Sequence, residues 1–484
     1  MNFGAAFDVL GLLLAVEGAF MLPPLIYAKV NGEGSVMAFL IAIGLCALAG
    51  VALFLVPKKD EHLRGRDGLF IVAAGWFIAS IFGAVPLYLG GATPTYIDAI
   101  FEIVSGFTTT GASVIDNIEI VDKSLVLWRS MTHWIGGMGI LVFTLALLPR
   151  AVTNGFRIFK AETPGPVAGK VEPRMKNTAV TLYKIYLLIT VVLFVLLKLF
   201  GMTAFDSVIH TLGVVGTGGF SSHVASAGQY TNNTPVLVTM SIFMVMCGTN
   251  FSLYSRLATG HWRDMFLDEE YRLYLRIVIS AIVLIAVDLI FGTGMKIGLG
   301  FREAAFQVTS IISTSGFASM DYDFWPGFSK CILLGLYFFG SCAGSTAGGM
   351  KIIRILVLWK IVKREIFKSI HPNAVIPIRV NGKIVEDRVI LGIVAFSVVY
   401  FMILAVATVI VSLSGVDFLT AFSGSLCCLS NVGPGFAGVG PTNTFSSFGA
   451  GYKLIFSALM LLGRLEFFTV LGLFTMGHGN QLMD

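Results

Sequence analysis

The chain has 484 residues, 56% of them apolar and only 13% charged, against about 25% charged in soluble domains. So few charges cannot cover a water-facing surface, which excludes a soluble multidomain protein and indicates an integral membrane protein. The net charge of +5 does not imply a nucleic-acid partner, because membrane proteins keep Lys and Arg in the loops on one side.

Apolar runs able to cross a ~30 Å hydrocarbon core fall at 8–28, 36–56, 68–90, 124–148, 181–200, 236–256, 273–293, 328–359, 390–413 and 452–476. These predict an all-α polytopic protein with ten spans. No basic region precedes the first run, so it does not read as a signal peptide. Alternate loops, including 351–388 with nine basic residues, carry 23 of the 33 Lys and Arg. That side is expected to be cytoplasmic, with both termini on it. The six cysteines have no metal-ligand spacing and read as free thiols, mostly buried.

Between spans, four shorter apolar segments read alike: IDAIFEIVSGFTTTGAS (97–113), FDSVIHTLGVVGTGGFS (205–221), REAAFQVTSIISTSGFAS (302–319) and FLTAFSGSLCCLSNVGPGFAG (418–438). Each predicts a re-entrant helix ending in small residues around a glycine: Gly111, Gly219, Gly316 and Gly435. Asp98, Asp206 and Glu303 stand 13 residues before the first three glycines, where they read as helix N-caps. Glu102, His210 and Gln307 stand nine before, and Glu102 and His210 read as braces of the Gly-rich stretch. The fourth segment aligns only with about three extra residues before Gly435, leaving Asp417 out of register. The repeat divides the chain into an extra N-terminal pair of spans (1–66) and four span–re-entrant helix–span units, 67–176, 177–268, 269–385 and 386–484.

Four such stretches imply a pore on a pseudo-four-fold axis. A dehydrated cation needs its water replaced by oxygens, and Gly lets carbonyls approach it without a Cβ. The re-entrant helices would aim their C-terminal partial negative charge at a central cavity. Tight helix packing explains one Gly-rich turn but explains four copies in register poorly. Candidate ion-binding residues are Thr108, Thr109, Thr110 and Gly111; Val215, Gly216, Thr217, Gly218 and Gly219; Ser313, Thr314, Ser315 and Gly316; and Asn431, Val432, Gly433, Pro434 and Gly435.

Within 328–359, the run from Gly340 to Gly349, with Gly344, Ser345, Thr346 and Gly348, predicts a non-helical loop roughly 18 Å deep at ~1.5 Å per residue. Such a loop is tolerated only beside a water-filled path. A close-packed helix contact is the alternative. Arg464 lies at a similar depth in the last span and is expected either to donate to carbonyls of that loop or to form an ion pair with another helix. Glu17 and Asp288 are further intramembrane carboxylates. Gly136, Gly137 and Gly139 read as helix packing.

These motifs resemble the Trk/Ktr/HKT superfamily of potassium transporters, and most closely its Trk-type membrane subunit, over nearly the whole chain. The resemblance carries an extra N-terminal pair of spans. It implies potassium uptake across a bacterial inner membrane, with glycine at all four filter positions as in the potassium-preferring form. It also implies a gate made of the 340–349 loop and Arg464, a homodimer, and a ring of cytosolic nucleotide-binding, TrkA-like regulatory subunits. Segment 351–388 is their candidate docking surface. The chain itself carries no nucleotide motif, so no bound cofactor is expected. Two transport readings stay open: the potassium-binding subunit of an ATP-driven pump, and a Na+- or H+-coupled symporter using Glu17 or Asp288. No HExxH, GxGD or nucleophile–base motif points to an enzyme.

Overall fold

The computed structural model describes residues 3–57, 65–139, 175–465 and 467. The basic loops at 58–64 and 140–174, the inner end of span 124–148, Glu466 and the remainder of span 452–476 lie outside the described residues.

The chain is predominantly helical. Two helices, Phe3–Phe20 (α1) and Leu22–Asn31 (α2), meet at Met21, where prolines open the second and supply its first-turn geometry. They precede Val36–Phe54 (α3). A Cβ added to Gly11 of α1 would stand 2.9 Å from the Gly50 carbonyl of α3. The close backbone approach that holds membrane helices together fixes this pair.

A long helix, a short helix and a third helix then recur in order four times. The sets are Gly65–Leu89, Tyr96–Phe107 and Lys123–Gly137 (α4–α6); Met175–Leu199, Ala204–Gly216 and Thr234–Cys247 (α7–α9). Phe251–Ala258 (α10) and Trp262–Leu267 (α11) lead to Glu269–Thr293, Ile297–Ile312 and Gly327–Phe339 (α12–α14). Ile352–Ile370 (α15) then precedes Asp387–Ser412, Phe418–Ser430 and Ala450–Leu465 (α16–α18). Among the described residues, six helical stretches are long and apolar enough to cross a membrane, seven if one bent pair counts as a span.

Each short helix packs against the third helix of the preceding set. Helix α8 lies on α6, α13 on α9, α17 on α14, and α5 closes the circle on α18. At that last seam Lys453 of α18 and Asp98 of α5 form a buried ion pair at 2.6 Å. Removing one partner strands a buried charge, so Lys453→Met is expected to cost ~3 kcal/mol. Adding Asp98→Asn is expected to recover most of that. Thermal unfolding of the purified variants checks both expectations, and equal melting of the single and double variants would contradict them.

Two sequence expectations need correction. Run 236–256 is not a straight span, because α9 and α10 meet at 93°. Gly248 and Thr249 end the first helix, and Asn250 caps the second by accepting from the Ser252 N–H. Run 328–359 is two helices with a non-helical run between them, where the sequence predicts the loop. The protein is also not wholly α: Arg379–Val380 and Lys383–Ile384 form a two-strand antiparallel hairpin. Its turn residues Asn381 and Gly382 have φ of 49° and 75°, which the Asn-Gly pair tolerates well. Asn381 and Glu269 exchange bonds at 2.8 Å, docking the hairpin on the start of α12.

Candidate functional site

The four short helices end in buried residues with one backbone conformation in common. Thr109, Thr217, Thr314 and Asn431 have φ of 57°, 58°, 57° and 56°. A non-glycine residue at positive φ is costly and persists only where its surroundings impose it. Four equivalent instances mark a single designed feature.

Two residues beyond each lies a glycine: Gly111, Gly219, Gly316 and Gly433. A Cβ on Gly111 would stand 2.6 Å from the Gly219 nitrogen, and one on Gly219 2.7 Å from the Ser315 oxygen. One on Gly316 would run into the Val432 carbonyl, and one on Gly433 would stand 2.6 Å from the Thr110 oxygen. The stretches therefore form a closed ring in chain order, with backbone against backbone at each step. A depression of about 110 Å³ opens onto it, lined by all four glycines.

The ring corrects the alignment of the fourth stretch. Gly433, not Gly435, is the equivalent of Gly111, and no insertion is needed. Gly435 lies two residues further on, donating its N–H to Val439 at 2.6 Å and accepting from Tyr322 at 2.9 Å. The N-cap assignments change with it. Thr95 and Thr203 are the caps, accepting from the N–H groups of Asp98 and Asp206 and donating to their carboxylates at 2.7 and 2.6 Å. In the fourth helix the two residue types trade places: Asp417 is the cap and Thr420 stands 13 residues before Gly433. The Thr420 hydroxyl holds the Asp417 carboxyl below its usual range. Glu303 lies inside its helix, paired to Arg302 at 2.6 Å.

The expected braces are in place. Glu102 accepts from Ser113 at 3.0 Å and the Val114 N–H at 2.9 Å, and it pairs with buried Arg129. Arg129 lies 3.4 Å over the Phe220 ring, tying the first stretch to the second. His210 reaches Ser221 at 3.2 Å, and Gln307 reaches Ser319 at 3.4 Å. Thr108 and Thr110 share a hydroxyl bond of 2.8 Å, and Ser313 and Ser315 repeat it at the same length. Asn431 donates to Thr110 at 3.0 Å. Val215, Gly216, Gly218 and Val432 are buried; Gly218 lies against the His133 ring, and Pro434 accepts from Tyr337 at 2.6 Å.

The non-helical run from Gly340 to Lys351 has Gly340, Gly344, Gly349 and Lys351 at positive φ. It touches two ring stretches. The Gly348 N–H donates to Thr314 at 2.9 Å, and a Cβ on Gly348 would meet Asn431 at 2.6 Å. On its other side it docks on the α9–α10 break: Cys342 donates to Gly248 at 3.0 Å and Phe251 to Gly344 at 3.1 Å. Ser345 closes its own turn on Cys342 at 2.6 Å. Arg464 donates to Thr346 at 2.6 Å and to Gly136 and Gly137 at 2.7 Å each. The expected Arg464–loop contact is present. The Gly136 and Gly137 carbonyls are partners that the sequence reading missed. They end α6, where the partial negative charge of the last carbonyls attracts a cation.

The other intramembrane carboxylates stand apart from the ring. Asp288 accepts from the N–H and hydroxyl of Ser329 at 3.1 and 2.5 Å, holding the start of α14. Glu17 is buried behind α5 beside Gly83, and its oxygens have no hydrogen-bond partner among the described residues.

A membrane protein built around a ring of backbone belongs with transport proteins. A family model described as TrkH, cation transport protein, matches residues 35–481. The Trk system potassium uptake protein TrkH of Halomonas elongata is 35% identical over 98% of this chain and 99% of its own. That of Escherichia coli K12 is 34% identical over the same shares, and the Trk system potassium uptake protein TrkG of the same strain is 35% identical over 96% of each chain. The crystal structure of the potassium transporter TrkH from Vibrio parahaemolyticus superposes with a TM-score of 0.87, at 32% identity and 98% coverage of both chains. The chain belongs to the TrkH family of cation transport proteins, and these relatives are transporters rather than enzymes.

Proposed function

We propose that the protein carries potassium into the bacterial cell down its electrochemical gradient, through a filter made by the four stretches. One observation carries the reading: the stretches close into a ring whose φ pattern repeats four times. Potassium is the cargo. The carbonyls around Thr108–Gly111, Val215–Gly219, Ser313–Gly316 and Asn431–Gly433 would replace its hydration shell, and the helix ends behind them would add partial negative charge.

In this reading the chain has ten spans. Residues 1–66 are the extra pair, and 67–176, 177–268, 269–385 and 386–484 are the repeats, whose short helices re-enter the membrane from the outer side. The loop at Gly340–Gly349 and Arg464 form the gate, since together they tie two ring stretches to the end of α6. The basic side faces the cytoplasm of an inner membrane. Regulation comes from a cytosolic nucleotide-binding TrkA-like partner, the chain itself binding no cofactor, and the unit is a homodimer. The relatives' names, as members of a Trk system, support a partnered protein.

The test is electrical. With the protein reconstituted in a planar bilayer, the reversal potential is expected to follow the potassium gradient and to stay fixed when pH or sodium changes. A reversal potential that moves with pH or sodium would reassign the protein as a coupled symporter.

A further inference from the structure

On the membrane face that carries α15, a groove of about 650 Å³ runs between the first turns of α12 and helix α15. Its two linings differ in chemistry. The floor is aliphatic, from Leu273, Ile277 and Ile355. The rim is cationic, from Arg272, Arg276 and Lys363, with Trp359 58% exposed beside them. The nearby carboxylate of Glu269 is already engaged by Lys360 and the Asn381 N–H. Among the described residues, Arg276 and Lys363 thus have no carboxylate partner, and Arg272 beside them is shared with Glu269. All three stand over an apolar slot at the end of a span, where water, headgroups and acyl chains meet.

Each part has a counterpart in one molecule. Guanidinium groups bind phosphate oxygens bidentately, an aliphatic floor receives an acyl chain, and an exposed Trp at a span end belongs at headgroup level. A soluble anion leaves the apolar floor unused, and a zwitterionic lipid leaves the rim charge uncompensated. We propose that this groove is a binding site for an anionic phospholipid, its phosphate held by Arg272, Arg276 and Lys363. The proposal needs only that the chain spans a bilayer and does not depend on the ion it carries. Occupancy would bear on the loop, because Glu270, next along α12, accepts from Ala343 at 2.7 Å and from Ile353, at the start of α15, at 3.0 Å.

Native mass spectrometry of the full-length protein, titrated with dioleoyl phosphatidylglycerol or dioleoyl phosphatidylcholine, tests the site. Phosphatidylglycerol is expected to be retained in preference. Arg276→Gln with Lys363→Gln is expected to weaken that retention roughly twenty-five-fold, about five-fold per charge removed, and to leave phosphatidylcholine unaffected. Arg276→Lys with Lys363→Arg keeps the charge and is expected to stay within about two-fold of the native protein. Equal retention of the two lipids would overturn the proposal, as would full retention by the neutral pair of substitutions or equal losses in both double variants. Displacement of the lipid by millimolar inorganic phosphate would make this a phosphate site. Dissociation of a dimer with lipid retention unchanged would make it a contact between copies.

Discussion

Gly316→Ala is expected to abolish most potassium flux from a protein that still folds. The added methyl would run into the Val432 carbonyl, on backbone at φ 75°. Overpacking and left-handed strain together cost ~3 kcal/mol. The Val432 carbonyl belongs to the ring, so relief comes by displacing a group that would face the ion in the proposed filter. If that cost falls on the conduction barrier, flux drops on the order of 100-fold. Gly335→Ala is the control, because a Cβ there meets nothing within 4 Å. Rubidium uptake by proteoliposomes compares the two variants. Native flux in a correctly folded Gly316→Ala protein would show that the ring does not line the path.

Arg464→Ala is expected to raise flux measured without any regulatory partner. The side chain bridges three carbonyls, Thr346 of the loop and Gly136 and Gly137 of α6. Its loss frees the loop and removes a positive charge below the ring. One unit charge at ~4 Å is worth about 1–4 kcal/mol at dielectrics between water and the protein surface, so an increase of roughly ten-fold is expected. Arg464→Lys separates the two contributions: it keeps the charge but cannot span three acceptors, so its flux is expected to fall between native and alanine. Uptake by proteoliposomes lacking other proteins provides the measurement. Unchanged flux in Arg464→Ala would remove this residue from the proposed gate.

The site was legible wherever chemistry depends on residue type at fixed spacing. Four glycines at roughly 100-residue intervals pointed to the ring, a run of glycines in an apolar segment marked the loop, and a lone Arg464 at matched depth found it. What was missed depends on backbone geometry. The sequence alignment puts Gly435 in register only by allowing about three extra residues, whereas the ring is set by distance from the left-handed residue, Asn431, which only dihedral angles reveal. The exchange of Asp417 and Thr420 concealed the same register, because a cap can be built with either residue first. The 93° turn at Gly248–Asn250 was hidden by uninterrupted hydrophobicity, although Gly-Thr-Asn was a signal for it. Asn381-Gly382 likewise announced a hairpin inside a segment read only for its charge. The Gly136 and Gly137 carbonyls are backbone acceptors, and no composition argument singles out a carbonyl.

The central claim is that the ring of four glycines selects the cation. A Cβ on Gly111 would stand 2.6 Å from the Gly219 nitrogen at φ 84°, so a serine there must distort the ring. Efflux of potassium, rubidium and sodium from liposomes, compared between the native protein and Gly111→Ser, tests it most directly. The expected result is strong preference for potassium and rubidium in the native protein and a several-fold rise in relative sodium flux in the variant. Sodium flux no greater in Gly111→Ser than in the native protein, with potassium flux preserved, would contradict it.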